Sequence, residues 1–205
     1  MLHSPTALRS AFDHLGEAYI EFASELTEAD LERAGLGEWN VRELLAHAIR
    51  AFSTTTAYLD ASPSVDFVIN TAGEYYRTAL SSSPTLHADV AERGRVAGEA
   101  LRHDPFGVVR STVESACARV GLADDDAIVC TFAGQIPLLP YLATRIVESG
   151  VHLLDLHDAL DRDIDLDPTV AEIVVITLVE AGNAYQVIRG LTGRRGLPVD
   201  FNILG

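Results

Sequence analysis

Apolar residues recur at three- and four-residue spacing along most of the chain, the pattern of helices that bury one face. The first run sets Leu8, Phe12, Leu15, Tyr19 and Phe22 on one stripe. With Pro5 suited to an opening turn, it predicts a helix from about Pro5 to Leu26. Thr27 to Gly37 carries two glycines and reads as a turn or loop that delivers Trp39. Asn40, with Glu43 three residues on, has the form of a capping box. It opens a second helix reaching about Leu59, whose buried face is Val41, Leu44, Leu45, Ala48, Ile49 and Phe52. Asp60 to Leu86 is rich in Ser, Thr and Pro and reads as a long crossover or a loop that borders a site, with one helical turn at Glu74–Ala79; Tyr75 and Tyr76 could line that site, although packing is the commoner role.

A third helical pattern runs from about His87 to Val120 and is broken or kinked near Asp104-Pro105. The β-branched residues of Ala127–Pro137, around Ala133-Gly134, predict a small hairpin. A fourth helix follows from about Leu138 to Leu160, and Asp167-Pro168 starts a fifth segment reaching about Leu191. Ile173–Val179 inside that segment is also a passable buried strand, but its length favours helix. Leu197, Phe201 and Ile203 pack an irregular tail. The expected fold is all-α: four main helical segments over 1–162 with a long crossover and a hairpin before the fourth, and a C-terminal helix and tail, 163–205, packed on the same domain.

Composition supports helices, since 48% of residues are hydrophobic and only 7% aromatic, leaving packing to Ala, Leu, Val and Ile. A net charge of −15 excludes nucleic acid and anionic membranes as partners, because both are bound by clustered Lys and Arg. The amino terminus has no basic segment followed by an apolar core. Ile173–Val179, the most apolar run, lies between Glu172 and Glu180 and is far shorter than the roughly 20 residues of a membrane span. Cys117 and Cys130 make no disulfide framework and suit a reducing compartment. A soluble, cytoplasmic protein is expected, and the fifth segment is apolar enough to give an outer face for a homodimer.

The fourth helix carries the candidate chemistry. Arg145, Glu148, His152 and Asp155 fall at helical spacing on one stripe, too polar for plain core. A carboxylate and an imidazole at i, i+4 can supply two ligands to a divalent metal. The best candidate for a third is His47, on the inward face of the second helix with Leu44 and Ala51. A lone His on such a face is more often a satisfied core residue. A Glu and a His waiting on another helix change that balance. Asp155 could accept the spare imidazole N–H of His152, and Arg145 could pair with Glu148 or with a carboxylate on a bound molecule. The plain alternative for both is an intrahelical ion pair worth a few tenths of a kcal/mol. His14, His87 and His103 read as surface residues, and Arg194 and Arg195 as a solvated basic pair.

Trp39-Asn-Val-Arg-Glu-Leu-Leu-Ala-His47, followed a hundred residues later by Ala143-Thr-Arg-Ile-Val-Glu148-Ser-Gly-Val-His152-Leu-Leu-Asp155, resembles the amino-terminal domain of mycothiol-dependent maleylpyruvate isomerases, of the DinB-like metal-binding superfamily. The resemblance covers about the first 160 residues. It implies a four-helix bundle with a divalent metal, usually zinc, held by His47, Glu148 and His152. Three N/O ligands leave a position open, as in catalytic zinc sites. The implied activity is that of an enzyme that activates a low-molecular-weight thiol, mycothiol, as a thiolate for S-transfer to an electrophile or for thiol-assisted isomerisation. No protein nucleophile is needed, so Cys117 and Cys130 have no role. The isomerase itself carries a sterol-carrier-like domain after the bundle, where one helical segment and a tail stand here, which leaves both reaction types open. A non-catalytic metal-binding sensor or interaction module is the alternative.

Overall fold

The computed structural model describes residues 3–62, 67–81, 94–198 and 203, and the chain is mostly helical with one two-stranded sheet among them. The helices are α1 (Pro5–Ser24), α2 (Glu28–Leu31), α3 (Val41–Ala48), α4 (Arg50–Leu59), α5 (Ala72–Ser81) and α6 (over 94–100). They continue with α7 (Pro105–Gly121), α8 (Leu138–Ala159), α9 (Pro168–Ala181) and α10 (Ala184–Leu191). The hairpin strands are β1 (Ile128–Thr131) and β2 (Gly134–Pro137).

The stripe of α1 builds the centre of the bundle. Phe12 and Tyr19 are fully buried and meet Phe52 of α4 with ring centroids 4.9 and 5.8 Å apart. α1 packs on α7 and α8, and the α3–α4 pair packs on α7 and α8 from the other side. Four helical rods therefore surround one apolar core. Gly16 lets α1 and α7 approach, since a Cβ there would stand 2.6 Å from Val113 Cγ1.

The capping box forms as expected: Glu43 N–H donates to Asn40 Oδ1 at 2.9 Å and Asn40 N–H to Glu43 Oε2 at 3.1 Å. The second helix is not continuous, however. At Ile49 (φ −67°, ψ −10°) the chain tightens and α4 starts anew. Ile49 carries no breaker chemistry, so nothing local announces the interruption. The expected loop after α1 also contains a helix. Thr27 and Asp30 cap α2 reciprocally, and Arg42 of α3, nearly buried, holds it by donating to Glu28 at 2.6 Å and to Glu32.

Within the crossover, the described residues 67–81 carry more regular structure than their composition suggests. Its backbone lies beside β2, with Ile69 N–H donating to Gln135 O at 2.7 Å and Gln135 N–H to Phe67 O at 2.8 Å, and then enters α5. Gly134 sits at φ +145° and a Cβ there would stand 2.9 Å from Phe67 O, so this junction requires glycine. The break at Asp104-Pro105 appears where expected, with Asp104 Oδ1 accepting from Gly107 N–H at 2.8 Å to cap α7. The expected start of that helix at His87 lies outside the described residues. Ile173–Val179 is helical, which settles the strand alternative. The fifth segment is divided at Gly182-Asn183, where Asn183 caps α10. α9 packs on α8, α5 and α1. In the tail, Leu197 rests on Gly190 and Ile203 on Gly182, while Phe201 is outside the described residues. Among the described residues no helix is long and apolar enough to cross a membrane.

Candidate metal centre

α3 and α8 bring the candidate ligands together because each presents them on its inward face. His47 stands in the last turn of α3, before the interruption at Ile49, and Glu148 and His152 occupy successive turns of α8. One ligand atom from each of the three lies within 4.8 Å of the others, and all three side chains are half-buried. The His47 and His152 rings meet edge-on, with centroids 4.9 Å apart and planes at 79°. Trp39 lies against His47 at 4.7 Å. The turn before α3 places the indole, with Gly35 N–H donating to Trp39 O at 2.8 Å, and Gly94 of α6 touches its ring.

Asp155 lies one turn beyond His152 on α8. Its Oδ2 lies 2.9 Å from His152 Nδ1. With the Asp155 carboxylate as acceptor, the imidazole N–H would be at Nδ1 and the Nε2 lone pair would be left for another bond. Two imidazoles and a carboxylate within ligand reach fit a first-row divalent ion.

Arg145 does not pair with Glu148. Its guanidinium sits 5.0 Å over the Tyr141 ring and 5.9 Å over the Tyr75 ring, and its Nε donates to Thr144 Oγ1 at 3.1 Å. Among the described residues no carboxylate forms an ion pair with it. Two further tyrosines bind the α8 backbone on either side of Glu148: Tyr76 Oη donates to Thr144 O at 3.0 Å, and Tyr19 Oη to Ser149 O at 2.8 Å. Burial first, and then the negative charge of Glu148 beside Tyr76 and of Asp155 and Glu148 beside Tyr19, raise both phenols well above their ordinary range. They stay protonated donors. Tyr75 and Tyr76 were candidates to line a site, but the bonds of Tyr19 and Tyr76 to the α8 backbone were not foreseen. The available signal was the choice of Tyr over Phe on buried stripes, since a buried hydroxyl needs a partner.

The thiols lie apart from this cluster. Cys130 is buried in β1, and burial, with Asp13 as a hydrogen-bonding neighbour, pushes the Cys117 thiol up to about 12.

A family model described as the mycothiol maleylpyruvate isomerase N-terminal domain matches residues 12–157, a span that contains His47, Arg145, Glu148, His152 and Asp155. No curated protein and no solved structure matches the chain.

Proposed function

The chain belongs to the mycothiol maleylpyruvate isomerase N-terminal domain family, and from that membership we propose that it is a metal-dependent enzyme acting with a low-molecular-weight thiol. His47, Glu148 and His152 would hold the ion, zinc being one of the first-row divalent metals that imidazole and carboxylate ligands suit, and mycothiol would be the thiol. The observation that carries this reading is the convergence of three N/O ligand atoms within 4.8 Å from two helices. Three protein ligands leave room for a fourth, which distinguishes catalytic from structural zinc sites. When bound, the ion supplies a Lewis acid that lowers the pKa of a coordinated thiol, so that the thiolate is the nucleophile at neutral pH.

The protein's own part is binding and orientation. Asp155 fixes the His152 ring and its tautomer through Nδ1. Tyr19 and Tyr76 brace α8 next to Glu148 and keep bulk water from that side of the site, as both are nearly or fully buried. Arg145, stacked on Tyr141 and Tyr75 without a carboxylate partner among the described residues, is placed to receive an anionic group of substrate or thiol. Cys117 and Cys130 take no part, which leaves the nucleophile to the small thiol.

The test is consumption of a panel of model electrophiles by the metal-loaded protein with mycothiol. Turnover that disappears with chelation and in His152→Ala is expected. Metal retention with no turnover across several electrophile classes would contradict the enzyme and leave a metal-binding module.

A further inference from the structure

The eight residues of α10 bury no side chain. Tyr185, Ile188 and Leu191, at three-residue spacing, are 65%, 59% and 77% exposed, and Val175 of the preceding α9 is 55% exposed. A helix this short is marginal in water unless its apolar face is packed. Clustered apolar exposure of this kind marks an interaction surface.

Charge indicates what covers it. Residues 184–198 hold Arg189, Arg194 and Arg195 and no acidic residue, in a chain of net charge −15. Before and near the start of α9, a helix about 20 Å long at 1.5 Å per residue, Asp163, Asp165 and Glu172 are exposed and form no ion pair among the described residues. Among the exposed residues of 163–198, the acidic Asp163, Asp165 and Glu172 come first, the apolar Val175, Tyr185, Ile188 and Leu191 follow, and the basic Arg194 and Arg195 come last. Such a surface complements itself under a two-fold axis, with the acidic end of each copy over the basic end of the other. An anionic lipid surface would attract only one end and be repelled by the other.

We infer that the α9–α10 surface is the interface of a homodimer in which Tyr185, Ile188 and Leu191 are buried and Arg194 and Arg195 face Asp163 and Asp165 of the second copy. The inference stands apart from the metal site and does not depend on it.

Sedimentation velocity on the full chain tests it, with two charge-reversed variants, Arg194→Glu/Arg195→Glu and Asp163→Arg/Asp165→Arg. The wild type should be a dimer that weakens as salt rises, since exposed charges are screened within about 3 Å at 1 M. Each reversed variant should dimerise about tenfold or more weakly by itself, and an equimolar mixture of the two should recover dimer, because reversal at opposite ends restores both contacts. Ile188→Glu should give a monomer with an unchanged helical circular dichroism spectrum. A wild type that stays monomeric, reversed variants that dimerise like wild type, a mixture that recovers nothing, or a monomer that floats with anionic vesicles would overturn the inference.

Discussion

At His152 the contact that matters most is the 2.9 Å hydrogen bond to Asp155, because it decides which ring nitrogen is free. Asp155→Asn should therefore weaken metal binding about 10- to 100-fold without abolishing it, as read by competition with a chelating dye. His152→Ala removes a ligand and should abolish binding at the same concentrations. Equal affinity in wild type and Asp155→Asn would show that the carboxylate has no part in orienting the ring. The triad was legible because Glu148 and His152 share one helix face by spacing alone, and His47 shares the inward face of its own helix with Leu44 and Ala51. The setting of Arg145 was not. Spacing places it one turn from Glu148, but its position over Tyr75 depends on α5, which arrives through a crossover with little periodicity. The phenols of Tyr19 and Tyr76 were hidden for a related reason, since their acceptors are carbonyls of α8, 130 and 68 residues away in sequence.

Among the elements, α3 is the one on which the site depends, as it carries His47 and is anchored by its cap. Asn40→Ala deletes the acceptor of the Glu43 N–H and should cost about 1 kcal/mol of stability, measured by urea unfolding. An unchanged midpoint would mean that tertiary contacts alone fix the start of α3. At the hairpin, Gly134→Ala combines φ +145° with a 2.9 Å approach to Phe67 O and should cost about 1–3 kcal/mol. The cap at Asn40 could be read directly, because donor and acceptor are neighbours in sequence. The α3–α4 interruption could not, since Ile49 is an ordinary helix residue. α2 could have been found from Thr27 and Asp30, a capping pair obscured by the glycines that follow.

For the whole molecule, the bundle was legible because four long amphipathic patterns leave few other ways to bury their stripes. The course of the crossover was not, because it depends on single hydrogen bonds to β2. Global stability should be greatest near neutral pH, for two reasons with opposite signs. Burial, then the charge of Arg162, lower the pKa of His157. The unfolded imidazole, titrating near about 6.5, takes up protons more readily, so stability falls as pH drops through that range. Cys117 is raised to about 12. The unfolded thiol ionises first, from about 8.5, so stability also falls as pH rises above that value. Thermal melts across pH should show this maximum, and Cys117→Ala should flatten its alkaline side. An alkaline limb unchanged in that variant would assign the loss to other groups.

The proposed chemistry requires a metal held by His47, Glu148 and His152. Elemental analysis of purified, dialysed protein beside His47→Ala, prepared in the same way, addresses that directly. About one equivalent of zinc or another first-row divalent ion, lost in the variant, is the expected result. No metal in either protein, or equal metal in both, would contradict it and return Glu148 and His152 to a polar stripe inside a helical bundle.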